Sequence, residues 1–144
     1  MSVEYREIDA AEVDPTQRRL AELTLAIVAR DLGLAGVALR WFRPLDWRDR
    51  EERRALGRAP WVDLPISDDR DGFVWGAVEG AIWVRAGLGA ERLREVVAHE
   101  ARHAWQRRRA GGWSWGDAAL EPVAAAAREA DALTYGRTVY SWFD

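Results

Sequence analysis

The sequence predicts one α+β domain spanning residues 1–144: a small, twisted, partly antiparallel sheet packed on helices. Three observations carry this. The patterned segments run in the order helix, strand, long loop, hairpin, helix, helix. Two adjacent β-rich runs, separated by the turn-forming pair Glu79-Gly80, mark the hairpin. The 144 residues are 49% hydrophobic, enough for one core without staples.

Asp14-Pro15-Thr16-Gln17 has the form of a helix start, with Asp as N-cap, Pro at the first helical position and Gln three after the cap. Leu20, Leu23, Ile27 and Leu34 follow at helical spacing, and Gly33 and Gly36 punctuate the end. Residues 37–42, VALRWF, read as a strand closed by Pro44. Residues 43–72 are the least regular stretch. A short charged helix is expected from Asp46 to Leu56, stopped by Gly57. The rest is loop, either a functional segment or a surface excursion packed by Trp47 and Trp61. Residues 73–78 and 81–85 form the two hairpin strands, and a helix runs from about Ala90 to Arg109. Gly111-Gly112 ends it, WSWGD forms a loop, and an Ala-rich helix begins near Pro122 and runs towards Tyr140. Most of the nine tryptophans are expected in the core or a cleft, because Trp brings a large apolar area with one donor to satisfy.

Composition narrows the function. The chain contains no cysteine, which excludes disulfides and thiolate metal sites, so a bound metal must use His, Asp or Glu. A net charge of −3 and a pI of about 5.5 argue against nucleic acid or an anionic membrane as a partner. No stretch approaches the ~20 apolar residues of a membrane span, and the acidic N-terminus lacks the form of a signal peptide. The expectation is a soluble, cytoplasmic protein. All 21 cationic residues are arginine, which a coding bias explains without function.

Both histidines of the chain lie in VVAHEARHAWQ, as His99-Glu100-x-x-His103. On a helix, positions four apart share a face, so both imidazoles can reach one ion. Glu100 is rotated by roughly 100° from His99, which places it beside a metal rather than on it. There it could take a proton from an attacking water. Leu93, Val97, Ala101, Ala104 and Trp105 form a separate apolar stripe that anchors the helix and leaves the histidines on its flank. The plainer reading is a solvated histidine pair, since HExxH is a short pattern that also arises by chance.

Catalytic zinc usually takes three protein ligands. With no third histidine and no cysteine, the third must be a carboxylate, and the last helix offers AAAAREADALTYG. Glu129 lies 26 positions after His103. An antiparallel helix pair would bring it beside the histidines, with alanines 124–127 and 130 allowing close approach.

VVAHEARHAWQ followed by EADALTYG resembles the minimal zincin metallopeptidases on the glutamate-ligand (gluzincin) side. It is similar in outline to the ImmA/IrrE family and to short metallopeptidases of phages and mobile elements. The likeness covers residues from about Phe73 to Gly136, including the order of hairpin, HExxH helix and ligand helix; the residues before 73 fit only loosely. One position departs from it. Many such proteins carry the ligand glutamate four residues before the acid of an Ala-Asp or Ala-Asn pair, and here that position is Ala127. The candidates for third ligand are therefore Glu129, Asp131 and Glu121, in that order. Asp131 ahead of Tyr-Gly is also similar to the aspzincin pattern, at a spacing one residue longer. If Glu129 ligates, Asp131 is free to hold a histidine ring in its metal-binding tautomer. The alternative for both acids is a solvated helix face paired with Arg128 or Arg102.

The resemblance implies a zincin-like fold and a zinc-dependent metallopeptidase. Zn2+ would be held by His99, His103 and Glu129, Glu100 would be the general base, and the substrate would be a peptide or protein. It also implies that the strand near Ala81–Arg85 aligns an extended peptide in β fashion. Tyr135 and Arg102 are candidate donors to the developing oxyanion. Arg107-Arg108-Arg109 reads as a solvated helix end complementing the helix dipole. Trp113-Ser-Trp115 either lines a specificity pocket or fills the gap between the last two helices. The rival from another class is a non-catalytic zinc-binding or metal-free interaction module of a phage or mobile element. Glu100 speaks against it, because ligation alone does not need that residue.

Overall fold

The apolar residues of the strands divide between two sheet faces, and that division builds the domain. The computed structural model describes residues 4–61, 63–64, 70–75, 80–110 and 122–143. Among these residues are four strands, β1 (Tyr5–Ile8), β2 (Ala38–Pro44), β3 (Gly72–Trp75) and β4 (Ala81–Arg85), and four α-helices, α1 (Pro15–Leu32), α2 (Trp47–Leu56), α3 (Ala90–Arg109) and α4 (Pro122–Tyr140). The sheet order is β1-β2-β4-β3. β1 and β2 pair antiparallel, β2 and β4 parallel, and β3 and β4 antiparallel. The result is a small α+β fold with a mixed sheet.

One sheet face packs on helices. Ile8, Trp41, Val74, Ile82 and Val84 join Val28 of α1 and Leu93, Val97 and Ala101 of α3 in the main core. The other face carries an aromatic ladder of Tyr5, Phe42, Phe73 and Trp83, packed with Leu64. Phe73 and Trp83 are direct cross-strand partners and stack with ring centroids 5.5 Å apart, a pairing that stabilises the sheet beyond area burial alone.

Several expectations change. The sheet gains β1, because Tyr5 and Ile8 serve opposite faces and leave no alternating pattern to read. Gln17 does not close a capping box. Asp14 accepts from Gln17 N as expected, but the Gln17 side chain accepts from Gly87 N and donates to Leu88 O, tying α1 to the turn that launches α3. Of the tryptophans with described side chains, Trp41 and Trp83 are buried while Trp47 and Trp142 are exposed. Trp47, at 68% exposure, does not pack the 43–72 segment. Trp61 instead lies beneath the Arg6 and Arg53 guanidinium groups. Strand β4 is paired on both sides, so the Ala81–Arg85 strand has no free edge; among the described residues that edge belongs to β3. Glu79 of the Glu79-Gly80 turn, Gly111-Gly112 and the Trp113-Ser-Trp115 loop lie outside the described residues. Among those described, no helix is long and apolar enough to cross a membrane.

Helix α2 is fixed by an acid that sequence reading passed over. Asp46 and Asp49 form a reciprocal capping box. Asp49, 3% exposed, also accepts from Arg6 on β1 and Arg43 on β2. The Arg43 hydrogen bond holds the Asp49 carboxyl well below its usual range, against the opposing effect of burial. Asp49→Ala should therefore cost about 3 kcal/mol at neutral pH, since both arginines lose a desolvated partner. Its depressed folded-state pKa means that the unfolded chain binds more protons as pH drops below the ordinary value of 3.8. The stabilisation is present above that value and is lost as pH falls towards the folded-state one. Denaturant unfolding of both proteins against pH should show the gap closing in acid.

Candidate metal centre

Helix α3 buries Leu93, Val96, Val97, Ala98, Glu100, Ala101 and Ala104. That broad stripe fixes the helix rotation and leaves His99 and His103 on the flank facing α4. The two imidazoles, one turn apart, bring their Nε2 atoms to 3.2 Å from each other.

Helix α4 packs antiparallel to α3 and supplies Glu129. Its Oε1 lies 2.9 Å from His99 Nε2 and its Oε2 2.9 Å from His103 Nε2. The close approach is made by Gly136, where a Cβ would meet Glu95 O at 3.0 Å and His99 Cβ at 3.5 Å. Ala132 and Val139 are buried alongside, whereas Ala126, Ala127 and Ala130 face solvent. The contact expected of the alanine run is thus made further along the helix.

Glu100 forms the floor. Its side chain is 8% exposed against 62% for Glu129, so the cluster opens to solvent on the Glu129 side, and Glu100 Oε1 stands 3.7 Å from His99 Nε2. Its burial is completed by β3: a Cβ on Gly72 would lie 2.6 Å from Val96 Cγ1 and 2.9 Å from Glu100 Cγ. Only glycine lets the strand approach this closely.

The electrostatics follow from these positions. Burial pushes the Glu100 carboxyl above its ordinary value, and the His103 and His99 rings only partly oppose the rise. Hydrogen bonds to His103 and His99 hold Glu129 far below the carboxylate range. For His103 burial acts to lower the pKa, but the Glu129 hydrogen bond, the Glu100 charge and Gln106 outweigh it and raise it. Two imidazole nitrogens and two carboxylates facing one point favour a cation among them, whether proton or metal. His99, Glu100 and His103 each offer a ligand atom within 4.8 Å of the others. The contacts to Glu129 use different oxygens, Oε1 to His99 and Oε2 to His103, each 2.9 Å long, and the two Nε2 atoms lie 3.2 Å apart. Imidazole nitrogens and carboxylate oxygens are donor types that zinc, among other divalent metals, accepts.

No protein-family model, curated protein or solved structure matches this chain. Function is accordingly read from the cluster's own geometry.

The other candidates sit elsewhere. Asp131 accepts from Arg102 Nε at 2.7 Å and Nη2 at 3.1 Å, away from the paired imidazole nitrogens. Glu121 lies outside the described residues. Arg102, besides holding Asp131, stacks 3.9 Å above the Trp105 ring, and the Tyr135 hydroxyl donates to Asp31 on α1. Neither oxyanion candidate faces the cluster. Sequence reading missed Gln106, whose Oε1 is 2.9 Å from His103 Nδ1. Its signal was available: it sits three residues after His103, on the same helix face.

Gly136→Leu should separate α4 from α3 and withdraw Glu129 from the histidines. Overpacking of this kind costs about 1–3 kcal/mol. Zinc affinity, measured by chelator competition, should drop at least about tenfold in a protein that still folds.

Proposed function

We propose that this chain is a zinc-dependent metallopeptidase of zincin type, with His99, His103 and Glu129 as metal ligands and Glu100 as general base. The observation that carries the reading is the convergence of His99 Nε2, His103 Nε2 and the Glu129 carboxylate beside a buried second carboxylate. Zinc held there would polarise the scissile carbonyl and make water a nucleophile near neutral pH.

The chain's own groups account for the proton. Glu100 accepts it from the attacking water as the O–C bond forms, and donates it to the amide nitrogen as the C–N bond breaks. Burial suits both roles, because a carboxyl raised towards working pH exchanges protons readily in either direction. The edge of β3 beside Glu100 is where an extended peptide would add to the sheet, in place of the internal β4. The substrate class is therefore a peptide or protein, and a cytoplasmic location belongs to the same proposal.

The test is cleavage of a random peptide library by zinc-loaded protein, read by mass spectrometry. Cleavage should disappear with a chelator and return with zinc. A zinc-loaded protein that leaves the library intact would turn the reading to a zinc-binding module without catalysis.

A further inference from the structure

Helix α4 has little apolar surface to hold it on α3 where Glu129 stands. Its buried residues, Ala132, Gly136 and Val139, recur at helical spacing in its second half, and no residue of the helix ahead of Ala132 is buried. Glu129 therefore lies about one turn beyond the end of the packed seam. Ala124 and Ala125 are half-buried and offer one methyl group each, so most of the hold on this turn is polar.

Arg102 supplies the strongest part of that hold. It sits between His99 and His103 in α3 and reaches α4 at two points one turn apart, Asp131 and Tyr135. Its Nε and Nη2 donate to the two oxygens of Asp131 at 2.7 and 3.1 Å, a forked pairing that fixes direction as well as distance. Its guanidinium carbon lies 3.9 Å from the centre of the Trp105 ring on its own helix and 5.1 Å from that of Tyr135. The Tyr135 hydroxyl is in turn anchored to Asp31 on α1. Beside the fork, Gln106 Nε2 donates to Arg128 O and Asp131 Oδ2. Two positions apart, Glu129 and Asp131 are rotated by about 200° around α4, so they flank the seam on its two sides. A directional fork on Asp131 thus resists the roll of α4 that would swing Glu129 away from the imidazoles.

We propose that Arg102 is a positioning residue: by clamping Asp131 and Tyr135 it holds the first half of α4 on α3 and keeps the Glu129 carboxylate at His99 and His103. The clamp stands on these contacts alone; its consequence for a metal rests on the proposed site.

The experiment uses the full-length protein in two arms. In the first, amide hydrogen exchange is followed in the metal-free protein. Arg102→Met, which keeps the stem over Trp105 and removes the fork, should speed exchange of residues 125–132 by about tenfold, with α1, β2 and β4 at wild-type rates. Asp131→Asn, which keeps the shape and removes the charge from the more exposed partner, should give the same local pattern and does not depend on the Arg102 variant folding. Unchanged exchange over 125–132, or equal acceleration throughout the chain, would overturn the inference. In the second arm, chelator competition measures zinc affinity. Removing a nearby cation by itself favours a bound metal, so weaker binding in Arg102→Met reports displaced ligands. The expected loss is about tenfold in otherwise wild-type protein. No further loss is expected in a Glu129→Ala background, where the clamp has no ligand to position. An equal loss in both backgrounds would overturn the inference. A wild type without zinc affinity would remove the proposed function, and the exchange arm would still decide whether Arg102 holds this turn.

Discussion

A Glu100→Gln protein is expected to hold zinc as the wild type does and to hydrolyse peptides at least about 100-fold more slowly. Glutamine keeps the shape that fills the space under Gly72 and Val96, so the helix and both histidines stay in place. It cannot accept the proton of the attacking water. The same substitution should stabilise the metal-free protein at neutral pH. Burial raises the Glu100 carboxyl above its ordinary value of 4.5, so keeping it charged in the fold is unfavourable. The folded state gains relative stability below that value and loses it as pH rises through the folded-state pKa. Thermal unfolding should therefore place Glu100→Gln above the wild type at pH 7, with the difference shrinking in acid. An inactive but more stable variant is the signature of a carboxylate held for chemistry rather than for folding. Full activity in Glu100→Gln would remove the mechanism.

Glu129→Ala is expected to weaken zinc binding by at least about 100-fold, beyond the effect usual for groups outside the ligand set. Glu129 is the only described acid with both oxygens within hydrogen-bonding distance of the paired imidazoles. At 62% side-chain exposure it contributes little to the core, so the metal-free protein should still fold, with a modest loss of denaturant stability at neutral pH as its hydrogen bonds to His103 and His99 disappear. Asp131→Ala should show a smaller zinc loss, since Arg102 holds that carboxylate away from the paired imidazole nitrogens. Chelator competition on the two variants separates the roles. A larger effect at Asp131 than at Glu129 would reverse the assignment of the third ligand.

Much of this site could be read from the chain because it rests on local rules. Helical spacing alone puts His99 and His103 one turn apart, and the glycine-containing loop with its Ala-rich successor indicates a helix returning past them. The structure brings Glu129 to both rings by that route. What escaped the sequence depends on contacts between elements distant in the chain. Strand β1 carries one apolar residue for each sheet face, so it has no period, and it forms only because β2 offers an edge. Gly72 and Gly136 look like ordinary glycines until β3 and α4 are pressed against α3. Asp49 reads as one charge among many in α2 until Arg6 and Arg43 converge on it. The free sheet edge lies on β3 rather than β4 for a similar reason: the parallel pairing of β2 with β4 closes an edge that a simple hairpin would have left open.

The most direct measurement is zinc stoichiometry by elemental analysis of purified protein after zinc loading and dialysis, for wild type and His103→Ala. About one zinc per chain in the wild type, falling to a small fraction in His103→Ala, is the predicted result. A wild-type chain that remains metal-free after zinc is supplied would contradict the account, leaving two histidines and a glutamate that share protons alone.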